Sequence, residues 1–221
     1  LNRGSGGDIF LQAGRGHGTS AGGGIGLGGK VDIKAGASIS GQGGGISMIA
    51  GDSGGNLSGG HVHVVSGSSM LGMSGEVRIE TAQSVSQGSS SGGMSLNTGN
   101  ASTGNSGTIT IGVGFSETGS GGDVIVSAGS TMSTNLSNSG GNIVLNAGHS
   151  YGANSQNTGG SVSLRSGGSN NGTSGNLNLM TSSGGKESGT IQLLTGSPTV
   201  GSSGNIEILT GNVISKKSSA N

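Results

Sequence analysis

One phrase of alternating apolar and polar residues recurs along the chain. It reads Gly-Gly-x-(Ile/Val)-x-(Leu/Ile/Val)-x-(Ala/Ser/Thr)-Gly. Its fullest copies are Gly6–Gly14, Gly121–Gly129, Gly140–Gly148 and Gly159–Gly167. Its first apolar position is occupied 13 times, at Ile9, Val31, Ile46, Val62, Val77, Met94, Ile109, Val124, Ile143, Val162, Leu177, Ile191 and Ile206. The commonest spacing is 15 residues, and longer units carry polar insertions such as Ser130–Ser139 and His149–Thr158. A repeat held in register this often marks a repetitive architecture rather than a linker.

A period of two places alternate residues on opposite faces of an extended chain. Ile9, Leu11 and Ala13 then face one way, and Phe10 and Gln12 the other. The glycine after each run, such as Gly14, Gly36, Gly51 or Gly148, is suited to a turn. In units of regular length the eleventh position is Gly41, Gly72, Gly104, Gly119, Gly172 or Gly201. Two residues later only Gly or Ser occurs (Gly43, Ser74, Ser106, Gly121, Ser174, Ser203), which suggests a crowded crossing. The expected fold is all-β: a parallel β-solenoid of about 13 coils, with two facing sheets around a thin Ile/Val/Leu core. At a strand spacing of ~4.8 Å such a rod is roughly 60 Å long. It would occupy residues 1–211 as one domain. The stretch Gly22–Gly29 would be a weak extra coil with Ile25 and Leu27 inside. Residues 212–221, which lack the repeat, would form a tail or cap.

Composition sharpens this picture. Of 221 residues, 54 are Gly and 42 are Ser, together 43%. Apolar residues make 28%, charged residues 8% and aromatic residues 1%. An ordinary globular domain is about 45–50% apolar and about 25% charged, so a rounded core is not expected. Collagen is excluded because Gly is not at every third position and Pro198 is the only proline. The chain has no Cys, hence neither a disulfide framework nor a thiolate metal site. No apolar run approaches the ~18 residues of a membrane-spanning helix. The opening Leu-Asn-Arg-Gly-Ser-Gly does not follow the pattern of a signal peptide. It suggests a segment of something larger.

Little in the sequence carries chemistry. The pattern G-x-S-x-G of a nucleophile elbow occurs at Gly18–Gly22, Gly51–Gly55 and Gly88–Gly92. With this much Gly and Ser, about two to three matches arise by chance. No helical period is present to turn a Gly-rich stretch into a phosphate loop. The nine acidic residues are too few for calcium-binding nonapeptide turns. His61 and His63, with Glu76 one repeat away, read as surface residues rather than a metal site. The nine Lys and Arg are balanced by nine Asp and Glu, and the aromatics are only Phe10, Phe115 and Tyr151, so nucleic-acid binding is not expected. The paired Lys216 and Lys217 read as a solvated tail. The chain is expected to be neither an enzyme nor a cofactor protein.

Two surface features remain. Sequons for N-linked glycan stand at Asn56, Asn100, Asn135 and Asn171, all between apolar runs. Ile49, Val65, Ile125, Val144, Met180, Leu194 and Leu209 are apolar yet fall on the outward face. An apolar stripe on a polar protein marks contact with another surface, here a neighbouring rod. The outward columns hold no regular ranks of Thr of the kind that bind ice.

Phrases such as GGDVIVSAG and GGNIVLNAG, with their Gly/Ser turns, resemble Gly/Ser-rich tandem repeats of large secreted proteins of algae and other protists. They also resemble the β-helical shafts of filamentous-haemagglutinin-type bacterial adhesins. The resemblance runs from Gly6 to Gly211 and implies an extracellular shaft, filament or adhesive. The function expected is that of a structural building block of an extracellular filament or cell-surface appendage. It would assemble through the apolar stripe or the solenoid ends, with other copies or other structural subunits as partners. The alternative is an adhesin shaft or binding module for carbohydrate, a surface or ice.

Overall fold

The structure is a computed structural model that describes residues 6–17, 26–86, 89–133, 138–152, 154 and 156–211. Ile25, Asn135 and the expected tail or cap at 212–221 lie outside the described residues. The chain divides into two units, Leu1–Ile109 and Thr110–Asn221.

The expected β-solenoid does not form. Among the described residues there is no helix and no β-strand; the chain is coil interrupted by short bends and turns. Backbone pairing shows why. A folded protein has roughly one hydrogen bond per residue, most of them between backbone groups. Here the described residues make nine backbone–backbone hydrogen bonds in all. No apolar run is laddered to a neighbour.

Seven of the nine bonds share one form. Each joins the second glycine of a Gly-Gly or Ser-Gly pair to the glycine that ended the preceding run. In the first unit the amides of Gly29, Gly44, Gly60 and Gly75 donate to the carbonyls of Gly14, Gly36, Gly51 and Gly67 at 2.8–2.9 Å. In the second unit Gly141, Gly160 and Gly175 donate to Gly129, Gly148 and Gly167 at 2.8–2.9 Å. A stacked coil would bring the start of each run beside the start of the previous one. These bonds bring it beside the end of the previous one. In these seven cases the apolar run is followed by a loop closed on itself by a single bond.

The loop neck accounts for the paired glycine. A Cβ added at Gly29 would lie 3.1 Å from the Gly14 nitrogen and 3.2 Å from the Ala13 Cβ. At Gly44 the corresponding distances, to Gly36 and Ala35, are 3.3 and 3.4 Å. Gly141 and Gly160 stand the same way against Ala128–Gly129 and Ala147–Gly148. Crowding thus falls at the second residue of the pair. It does not fall at the preceding Gly/Ser position, where a Cβ at Gly43 would make only ordinary contact, 3.8 Å from the Gly36 carbonyl oxygen. At six of the runs the small residue before the closing glycine is the one most covered. Ala13, Ala35, Ala50, Ser66, Ala128 and Ser166 are half-buried, while the large apolar residues are exposed.

A second device shapes the short loops. The hydroxyls of Ser38, Ser69, Ser116 and Ser169 accept from the amides of Gly41, Gly72, Gly119 and Gly172 at 2.8–2.9 Å. Each serine stands three residues before its glycine, in a Ser/Thr-turn arrangement. Where Ala101 or Pro198 occupies the serine position, the glycine instead turns to positive φ, +93° at Gly104 and +99° at Gly201. These are the only positive-φ glycines among the described residues.

Candidate functional site: an exposed repetitive surface

No side chain among the described residues is buried, and there is no core. The thin Ile/Val/Leu core expected between two sheets is therefore not present. Beyond the first run, only the first apolar position is consistently less exposed than the other large apolar residues. From Val31 onward the first apolar positions are 46–62% exposed, as at Ile109 and Met94. The outward residues Ile49, Val65, Ile125, Val144, Met180, Leu194 and Leu209 are 70–88% exposed. Both rows are open, so the surface on offer is wider than the outward stripe. The loop necks order the ends of the runs they join but bring no second layer over their middles.

Charged side chains pair along the chain rather than across it. The Lys30 Nζ reaches the Asp32 carboxylate at 3.0 Å. The Arg78 guanidinium grips one Glu80 oxygen through Nε at 2.9 Å and through a terminal nitrogen at 2.6 Å. Asn97 likewise donates to the Ser95 hydroxyl. All three are i, i+2 pairs, the spacing that shares one side of an extended run. Their side chains remain solvated, so each ion pair contributes little to stability, about 0–1 kcal/mol.

The remaining candidates are dispersed. Asn56, Asn100 and Asn171 are exposed, and Asn56 and Asn171 sit in bends. Asn135 lies outside the described residues. Among the described residues no three His, Asp or Glu side chains come together as a metal-binding group, so His61, His63 and Glu76 do not form one. No described helix is long and apolar enough to cross a membrane. One feature was not legible from residue spacing: the rings of His149 and Tyr151 stack with centroids 4.3 Å apart and planes 12° apart. An i, i+2 pair of rings in a polar insertion was the available signal. No protein-family model, curated protein or solved structure matches this chain.

Proposed function

We propose that the chain is a structural building block of an extracellular filament or cell-surface appendage and that it works by associating with copies of itself. The observation that carries this reading is a repeated apolar phrase whose large apolar side chains, among the described residues, are all exposed in the single chain. Exposed apolar surface gains about 25 cal/mol for every Å² it buries. One phrase offers little, but 13 phrases on one chain offer many weak contacts that act together. The near absence of charge lowers the repulsion that would keep copies apart, since the formal net charge is zero. Association runs through the side-chain rows, because there are no solenoid ends to stack. Sedimentation velocity across a concentration series, with electron microscopy of the same samples, tests this. Growing species and elongated particles support it; a monomer at every concentration refutes it.

A second reading, a carbohydrate-binding module, is favoured by the His149–Tyr151 stack. Flat exposed ring faces are surfaces on which sugar rings lie. A glycan array with the intact chain and with Tyr151→Ala tests it: binding lost in the variant supports it, and no binding by either disposes of it.

A further inference from the structure

Charge is scarce in this chain, 18 residues of 221. A third of it stands in two five-residue runs of the first unit. One run alternates Lys30, Asp32 and Lys34 with Val31 and Ile33; the other alternates Glu76, Arg78 and Glu80 with Val77 and Ile79. The two triplets are opposite in sign at all three positions, plus-minus-plus against minus-plus-minus. The Lys30–Asp32 and Arg78–Glu80 pairs place neighbouring members of each triplet on one side of the chain. Within the chain the triplets do not pair with each other, since these two are the salt bridges among the described residues. Lys34 and Glu76 are left without a partner of opposite charge.

We propose that the Lys30/Asp32/Lys34 face of one copy docks on the Glu76/Arg78/Glu80 face of a second copy. The occupant is another copy of this chain because the complementary triplet is present in the same sequence. Either chain direction matches opposite charges at all three positions. Only the antiparallel direction sets Lys34 directly against Glu76 and so joins the two uncompensated charges. Because the two faces are different surfaces, one such contact leaves a free triplet on each chain, and further copies add head to tail. The triplets fix which surfaces meet and in what register, which is the usual role of charge at an interface. The apolar rows supply the area. This inference rests on the self-association proposed above.

The test uses the full chain in a mixture of unlabelled and nitrogen-15-labelled copies, joined by a zero-length carbodiimide cross-linker. Peptide mass spectrometry should find mixed-isotope cross-links between Lys30 or Lys34 and Glu76 or Glu80. Cross-links confined to one isotope, or absent at these positions, overturn the proposal. Sedimentation of charge variants gives a second readout. The variants K30E/K34E and E76K/E80K should each associate about tenfold more weakly. The quadruple variant K30E/K34E/E76K/E80K, which restores opposite signs, should recover wild-type association. If the wild type associates and the double variants match it, docking through the triplets fails while self-association stands. If the wild type stays monomeric, both fail.

Discussion

The amide of Gly160 donates to the carbonyl of Gly148 at 2.9 Å, and a Cβ on Gly160 would lie 3.1 Å from the Gly148 nitrogen. One backbone therefore rests closely on another, and a side chain at Gly160 would push the Gly148 backbone away by a few tenths of an ångström. Replacing Gly160 by Ala should open the neck of the loop between these glycines and release a bond with a net contribution of about 1 kcal/mol. Amide hydrogen exchange reads this directly. Exchange at residue 160 should rise to the rate of its unbonded neighbours in the variant. The control is Gly54→Ala, where no atom lies within 4 Å of the new Cβ and exchange should not change.

The short loops make a paired prediction. Ser169→Ala removes the acceptor of the Gly172 amide, bonded at 2.8 Å. The turn should loosen by about 0.5–1 kcal/mol, visible as faster exchange and a shifted resonance at Gly172. At Gly104 the turn depends on backbone conformation, with φ at +93° and open space around the Cβ position. Gly104→Ala should destabilise that turn by about 1–2 kcal/mol through strain alone. Gly112→Ala, equally open and without positive φ, should leave local resonances in place.

Much of the local construction was legible in the sequence, and its long-range part was not. The closing glycines and the small residue before them do mark a feature, since Ala35, Gly36 and Gly44 meet as one neck, but Gly14, Gly36, Gly51 and Gly148 do not make the turn expected of them. Beyond the first run, the first apolar residue is less exposed than the outward ones, but the second inward residue is not consistently so: Ile208 and the outward Leu209 are 86% and 84% exposed. The solenoid was a further step, from which side a residue faces to what it faces. Period two fixes the first and is silent on the second, because an extended run has the same alternation whether or not its backbone is paired. Backbone entropy opposes pairing here, since ordering glycine loses more conformational freedom than ordering other residues. The serine turns were hidden for a different reason. Serine is so abundant that Ser38, Ser69, Ser116 and Ser169 are distinguished only by standing three residues before a glycine.

The absence of any buried side chain among the described residues predicts how the dilute chain responds to heat. Cooperative unfolding with a large heat-capacity change requires apolar surface to be released. Scanning calorimetry of the monomer should show no transition peak. The same chain at concentrations where copies associate should show one, because association is what buries the rows. A cooperative peak that does not depend on concentration would contradict this.

The apolar rows should carry the association energy. Ile125 and Val144 are 82% and 71% exposed on the outward side. Full burial of such a side chain gains about 1.5–3 kcal/mol, so each substitution by Ser should weaken association by roughly tenfold or more. Light scattering of Ile125→Ser, Val144→Ser and the double variant measures this. Ser163→Asn, a polar change at the equivalent outward position of the next repeat, should have little effect.

The central claim is that these exposed repeats are buried by other copies of the chain. Sedimentation velocity of the intact protein over a wide concentration range tests it most directly. The account predicts that the weight-average sedimentation coefficient rises steadily with concentration and falls again on dilution. A single monomeric boundary at every concentration would contradict it.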